Sequence, residues 1–121
     1  MARILIADDD PVVLELVRDL LMMQGHSVGS APDGAQALAK LGAEPFDLLV
    51  IDRNMPVMDG IAAVTALRRE PRLAALKVLM FTSAAGPAVR EEALRAGVDG
   101  FLRKPIEMAE FTATIKGALA K

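Results

Sequence analysis

The sequence predicts an α/β domain in which a five-stranded parallel sheet is covered on both faces by five helices. Short apolar runs of strand length alternate with amphipathic segments of helix length along all 121 residues. This alternation is typical of a doubly wound sheet with right-handed crossovers, because parallel neighbours need a connection that crosses the sheet. No linker or low-complexity segment interrupts the alternation, so we expect residues 1–121 to form a single domain. Periodicity does not determine the order of the strands.

Two predicted strands stand out because each is an apolar run that ends in a carboxylate. One covers residues 3–7, and the other runs from Phe46 or Asp47 to Asp52; both are predicted to be buried on both faces. Three further strands are predicted over residues 26–31, 77–81 and 100–102. The first of these three is expected at a sheet edge, because polar residues and glycine dilute its apolar character.

Asp or Pro marks the start of the first four predicted helices, Gly follows the first and the fourth, and Pro follows the second and the third. In the first helix, Asp10 and Pro11 precede an amphipathic run to residue 24, and Gly25 follows it. The other helices are predicted to begin at residues 34, 60, 87 and 108, and Gly97 is expected just past the end of the fourth. At helical period, the predicted core-facing residues are Val13, Leu16, Val17, Leu20 and Leu21 in the first helix, Ala35, Ala37, Leu38 and Leu41 in the second, Ile61, Val64 and Ala66 or Leu67 in the third, and Met108, Phe111, Ile115 and Leu119 in the last.

Composition excludes several classes of function. The net charge is −2, and Lys and Arg form no run, so we expect no direct nucleic-acid partner. The absence of Cys excludes disulfides, thiolate catalysis and thiolate metal sites. No apolar run approaches the roughly 20 residues that span a bilayer, and the N-terminus does not resemble a signal peptide. We therefore expect a soluble, cytoplasmic protein with no membrane partner.

Polar residues that suit phosphoryl chemistry follow four of the predicted strands. Parallel strands place their carboxyl ends at one edge of a sheet, and carboxylates gathered there repel one another, so a positive group is expected among them. Oxygen ligands without His or Cys favour Mg²⁺ or Mn²⁺ over Zn²⁺. Carboxylates, Mg²⁺, a hydroxyl and a Lys are the groups that hold a transferring phosphoryl group, with one carboxylate available as nucleophile. The candidates are Asp8, Asp9 and Asp10 after the first strand, Asp52 and Asn54 after the third, Thr82 and Ser83 after the fourth, and Lys104 after the fifth.

In these residues the chain resembles the receiver domains of response regulators in two-component phosphorelays, and it is similar to the chemotaxis receivers. The resemblance rests on the acidic pair Asp8–Asp9, the segment 52–60, Thr82, and the pair Lys104–Pro105, all in the family's order and spacing. It implies a flavodoxin-like sheet with the strand order 2-1-3-4-5 and a phosphorylation-dependent signalling switch. Such a domain is not an enzyme in the usual sense, because it catalyses only its own phosphorylation and dephosphorylation.

The resemblance also implies a role for each site residue. Asp52 would be the phosphoacceptor, and a partner histidine kinase or histidine phosphotransfer protein would be the donor. Asp9, Asp52 and the backbone carbonyl of Asn54 would bind Mg²⁺, with Asp8 acting mainly through a bridging water. Thr82 and Lys104 would hold phosphoryl oxygens, and the bond before Pro105 would be cis. Thr82 and Phe101 would form the switch.

Three residues need a separate interpretation. Phe101 occupies the switch position at which the family very often has Tyr, so the ring is kept without its hydroxyl. Arg53 follows Asp52 directly and is expected to face the mouth of the site, where it would affect how fast water reaches an acyl phosphate. His26 is the single histidine, and we expect it to be a surface polar residue rather than a phosphohistidine.

Other functions compete with the receiver interpretation. A haloacid-dehalogenase-type Mg²⁺ phosphatase would use Asp8 as nucleophile together with Asp10, Thr82 and Lys104, but it would leave Asp52 without a role. A flavodoxin would need Ser, Thr and Gly where three carboxylates stand, and a degenerate receiver used only for docking would not need the full set of acids, hydroxyl and Lys. A stand-alone receiver would signal through a partner protein, since the last helix reaches Lys121. A receiver cut from a longer regulator is the remaining alternative.

Overall fold

The computed structural model describes residues 2–82 and 86–120, and it confirms the predicted architecture. Five parallel strands form one sheet in the order β2-β1-β3-β4-β5. This is the flavodoxin-like order that the resemblance implied. Along the chain the elements are β1 (Arg3–Ala7), α1 (Pro11–Met23), β2 (Ser27–Ala31), α2 (Gly34–Ala43), β3 (Leu48–Asp52), α3 (Gly60–Leu67), a 3₁₀ turn (Pro71–Leu73), β4 (Lys77–Thr82), α4 (Pro87–Ala96), β5 (Gly100–Arg103) and α5 (Met108–Leu119).

The central strand β3 divides the core into two layers because its side chains alternate between the two faces of the sheet. All five of its residues are buried. Leu49 and Ile51 pack in the cluster that includes residues of α2, α3 and α4, whereas Leu48 and Val50 pack in the cluster that includes residues of α1 and α5. Continuous apolar character along β3 is therefore explained by burial on both faces.

Helix starts are held by aspartates that accept hydrogen bonds from backbone N–H groups. Asp10 accepts from Val12, Asp33 from Gln36 and Asp59 from Ala62, at 2.8–2.9 Å. At the other ends, Gly25 and Gly97 follow α1 and α4 with positive φ, as their positions predicted. Among the helices that the structure describes, none combines the length and apolarity needed to cross a membrane.

Three residues predicted to face the core are exposed instead, so those predictions were wrong. Leu16 is 48% and Met108 59% exposed, and Ala35 is exposed as well. The buried residues of α1 are Val17 and Leu21, and Leu16 lies about 100° around the helix from Val17. Met108 begins α5, one turn before Phe111. A 3.6-residue period identifies a helix face but not where its centre lies against the sheet.

β1 has the predicted bounds, whereas the other four strands differ from their predicted bounds by one or two residues. β3 begins at Leu48. Asp47, just before it, is tied to the start of β1 by two bonds with Arg3: the Asp47 N–H donates to the Arg3 carbonyl at 2.7 Å, and the Asp47 carboxylate accepts from the Arg3 N–H at 2.8 Å. β2 begins at Ser27, since His26 precedes it and accepts on Nδ1 from the Ala2 N–H at 3.2 Å. β4 and β5 each extend by one residue, and these added residues pair with each other.

Gly60 lets α3 begin against the end of β3. A Cβ at this position would collide with the backbone carbonyl of Asp52 and lie 3.0 Å from the Cα of Arg53. Gly60→Ala should therefore destabilise the fold by about 1–3 kcal/mol, the usual range for overpacking, as measured by urea unfolding. Gly117→Ala is the matched control, because its Cβ would meet nothing within 4 Å and should stabilise α5 by about 0.5–1 kcal/mol. Equal effects of the two substitutions would contradict this account.

Candidate functional site

The carboxyl edge of the sheet brings the predicted acidic residues together. Ala7 pairs with Ile51 across β1 and β3, so Asp8 and Asp52 leave adjacent strands at the same level. Asp8 is fully buried, Asp52 is 7% exposed, and Asp9 is exposed. Each of the three carboxylates offers an oxygen, and these oxygens lie within 4.8 Å of one another. The cluster is therefore open to solvent through Asp9.

Lys104 supplies the positive group that the sequence led us to expect among the acids. Its Nζ lies 2.8 Å from Asp8 Oδ2 and 3.3 Å from Asp52 Oδ2. The backbone N–H of Lys104 donates to the Thr82 carbonyl at 3.1 Å, which fixes the residue at the end of the β4–β5 ladder. The following Lys104–Pro105 bond is cis, as the resemblance implied. One ammonium thus bridges carboxylates that follow two different strands.

Backbone N–H groups orient the two buried carboxylates. Asp8 Oδ1 accepts from the N–H of Asp10 at 2.9 Å, and Asp52 Oδ1 accepts from the N–H of Asn54 at 3.4 Å. The carboxylate of Asp10 accepts a hydrogen bond from the Val12 N–H at the start of α1. Asp10 is therefore a helix cap rather than a member of the carboxylate cluster.

The single ammonium does not balance the charge of the site. Burial raises the pKa of the Asp52 carboxyl above its ordinary value and the charge of Asp8 raises it further, although Lys104 and the Asn54 N–H act in the opposite direction. For Lys104, burial lowers the pKa, but the hydrogen bond to Asp8 and the charges of Asp52 and Asp8 outweigh it, so that pKa is raised. A further cation beside Asp52 would relieve the remaining repulsion.

The donor atoms fit a hard divalent cation. The clustered groups are carboxylate oxygens, with no sulfur and no imidazole among them, and the exposed Asp9 provides an entry from solvent. Mg²⁺ prefers oxygen ligands and keeps several of its waters. Asp8, Asp9 and Asp52 are therefore the residues that could hold such an ion.

The remaining predicted residues lie at the same edge of the sheet, in the layer that contains α4, or at the opposite end of the strands. Thr82 ends β4 and is 7% exposed, whereas Ser83 lies outside the described residues. Phe101 is partly buried and packs against the cluster that includes residues of α4. His26 precedes β2 at the opposite end of the strands from the carboxylates; it is half-buried and lies outside the site.

Sequence reasoning missed the contacts that surround this set. The Arg90 guanidinium lies 4.9 Å from the centroid of the Phe101 ring, and Lys104 Nζ lies 5.5 Å from that of Phe81. Arg53 Nη2 lies 3.9 Å from Glu92 of α4. These pairs join separate elements, so no local spacing in the sequence indicates them.

Comparison with known proteins agrees with this geometry. Residues 4–116 match the family model of the response regulator receiver domain. The chain is 39% identical over 119 residues to the transcriptional regulatory protein PrrA of Mycobacterium bovis, covering 98% of this chain and 50% of that protein. It therefore spans half the length of that relative.

Two solved structures share the fold over nearly the whole chain. The chemotaxis protein CheY4 of Vibrio cholerae is 34% identical with a TM-score of 0.95, and the match covers 98% of this chain and 99% of that one. The receiver domain of sensor histidine kinase PA1611 from Pseudomonas aeruginosa, solved with a magnesium ion coordinated in its active-site cleft, is 27% identical with a TM-score of 0.91, covering 99% and 98%. This chain belongs to the response regulator receiver domain family.

Proposed function

We propose that Asp52 accepts a phosphoryl group from a phosphohistidine of a partner histidine kinase or phosphotransfer protein. Receiver domains of two-component systems act as phosphorylation switches, so the proposal concerns which residues do this here. The observation that carries it is the position of Lys104 Nζ, 2.8 Å from Asp8 and 3.3 Å from Asp52 within a three-carboxylate cluster. That arrangement leaves Asp52 as the carboxylate less tightly bound to the ammonium.

In the proposed transfer, one Asp52 oxygen attacks phosphorus in line as the N–P bond to the donor histidine breaks. The histidine nitrogen takes the electron pair of that bond, and Asp52 becomes an acyl phosphate. Lys104 and the Thr82 hydroxyl would each hold an equatorial oxygen. Mg²⁺, held by Asp8, Asp9, Asp52 and the Asn54 backbone carbonyl, would neutralise charge on the transferring group.

We propose that the readout uses Thr82 and Phe101. Movement of Thr82 toward the phosphoryl group would change the space available to Phe101, and the ring would move without a phenolic hydrogen bond. Output would pass to a partner protein if residues 1–121 act as a single receiver. Because this chain spans half of PrrA, an output unit in a longer chain is the second possibility.

The competing phosphatase interpretation places the nucleophile on Asp8. Two contacts disfavour it. Asp8 is fully buried and bound to Lys104 at 2.8 Å, and Asp10, which would be the acid–base residue, caps α1 through Val12. Asp52, by contrast, lies 3.3 Å from the Lys104 ammonium and is 7% exposed.

The nucleophile can be identified by labelling. With Mg²⁺ and acetyl phosphate, one phosphoryl group should attach to Asp52, detected by intact mass, and hydroxylamine should remove it because the product is a mixed anhydride. Asp52→Asn should abolish labelling, and Asp10→Asn should retain most of it. Lys104→Ala should slow labelling about a hundredfold or more, the usual loss for one donor to developing charge. Phosphomonoester turnover that survives Asp52→Asn but not Asp8→Asn would instead favour the phosphatase.

Metal binding predicts a thermal shift. Mg²⁺ should stabilise the fold by mass action, by about 1.4 kcal/mol at ten times its Kd, measured by calorimetric melting against a chelator. Asp9→Asn should remove that gain while keeping the fold, because Asp9 is an exposed member of the carboxylate cluster. Asp19→Asn, on the exposed part of α1, should keep it. An unmodified protein whose melting ignores Mg²⁺ would contradict the site.

The raised pKa of Asp52 predicts a pH-dependent stability in the absence of metal. Ionising this carboxyl is harder in the folded chain than in the unfolded one, so its charge lowers the free energy of unfolding above the folded pKa. This loss of stability disappears when the pH is below 3.8, the ordinary pKa of an Asp carboxyl, because the group is then protonated in both states. Asp52→Asn should therefore be more stable than the unmodified protein at pH 7 in chelator. The gain should shrink as pH falls through the raised pKa toward 3.8, and Asp19→Asn should show no such trend. A gain that is constant with pH would exclude this origin.

A further inference from the structure

Arg53 stands between two of the proposed metal ligands, and its backbone is held on both sides. Its N–H donates to the Phe81 carbonyl at 3.2 Å, and its carbonyl accepts from the Gly60 N–H at 2.9 Å. Asn54, the next residue, is exposed, and within residues 2–82 and 86–120 its N–H makes a single bond, a long one of 3.4 Å to Asp52. The chain is therefore well fixed at Arg53 and less well fixed at Asn54.

The Arg53 side chain reaches the weakly held residue and a neighbouring helix. Nη1 donates to Asn54 Oδ1 at 3.4 Å, and Nη2 lies 3.9 Å from Oε1 of Glu92 on α4. The side chain is 33% exposed, yet its Nε is buried without an acceptor among residues 2–82 and 86–120. A buried donor without a partner is unfavourable, and extension into water would relieve it. Contacts at the end of the guanidinium thus keep the side chain folded against the loop.

We propose that Arg53 is a positioning residue for the metal site, and that it holds the loop in place by joining Asn54 to Glu92. The inference rests on the metal site proposed above. Arg53 contacts none of the clustered carboxylates within salt-bridge distance in the described chain, so it acts through Asn54, whose backbone carbonyl is the proposed ligand. Residues that orient ligands from outside the coordination shell commonly change metal affinity by 10–100-fold.

The same contacts connect the metal site to α4. Glu92 lies two residues after Arg90, which covers the Phe101 ring at 4.9 Å. If the position of Glu92 affects Mg²⁺ affinity, Mg²⁺ must affect the position of Glu92 by the same free energy, because coupling between two equilibria is reciprocal. Arg53 therefore joins the loop that binds the ion to the helix that lies over the switch residue.

The direction in which Mg²⁺ affinity changes when Arg53 loses its charge distinguishes a positioning role from a purely electrostatic one. Arg53→Gln removes a positive charge near the site, and on Coulombic grounds alone it should tighten Mg²⁺ binding. A positioning role requires the opposite result, and we expect the Mg²⁺ Kd to rise about tenfold. The Kd is measured by isothermal titration calorimetry with MgCl₂, and melting in chelator checks that the metal-free fold is retained.

Glu92→Gln tests the second half of the contact without touching the loop. It should weaken Mg²⁺ binding several-fold. Combining it with Arg53→Gln should weaken binding little further, because both substitutions remove the same Arg53–Glu92 interaction. Glu91→Gln is the matched control: it removes the same charge from the neighbouring exposed position of α4 and should leave the Kd nearly unchanged. Tighter or unchanged Mg²⁺ binding by Arg53→Gln, or equal effects of Glu91→Gln and Glu92→Gln, would overturn the inference and leave the metal site intact. No Mg²⁺ binding by the unmodified protein would overturn the site and the inference together.

Discussion

The contact between Lys104 and the two buried aspartates is the interaction on which the arrangement of the site depends. Lys104 and Asp8 are 96 residues apart in sequence, yet their charged atoms lie 2.8 Å apart. The sheet order makes this possible, since it places β1 and β3 side by side and joins β3 to β5 through β4. Without the ammonium, the fully buried Asp8 would lack its charged partner, and an unpaired buried charge is among the most destabilising changes a core can suffer.

The carboxylates at this edge of the fold have two different functions. Asp10, Asp33 and Asp59 accept backbone N–H bonds at helix starts, where the helix dipole favours negative charge. Asp8, Asp9 and Asp52 form the separate group around the candidate metal position. Helix capping thus accounts for three of the aspartates at this edge, and the other three are the ones gathered in the carboxylate cluster.

Element types and most of the site could be predicted, because both depend on features that are local in sequence. Apolar runs such as residues 48–51 identify a buried strand, and the carboxyl ends of parallel strands must meet, so the sequence alone was enough to place Asp8, Asp52 and Lys104 together. The orientation of Leu16 and Met108 could not be predicted, because it depends on the angle at which a helix lies on the sheet. The contacts of Arg53 with Glu92 and of Arg90 with Phe101 depend on how α4 packs against its neighbours, which no spacing within one element encodes.

Strand alternation places the side chains of Asp52 and Thr82 on opposite faces of the sheet. Asp52 shares its face of β3 with Leu48 and Val50, which pack in the α1–α5 layer, whereas Thr82 shares its face of β4 with Val78 and Met80, which pack with α4. Phe101 packs in that second layer as well. A change at Asp52 must therefore cross the sheet to reach α4. Under the two proposals made above, Arg53 directly after β3 would transmit it through the ion pair with Glu92, and Thr82 at the end of β4 would transmit it through the space beside Phe101. Because the proposed Arg53 route depends on charge and the proposed Thr82 route on packing, salt should weaken the first far more than the second.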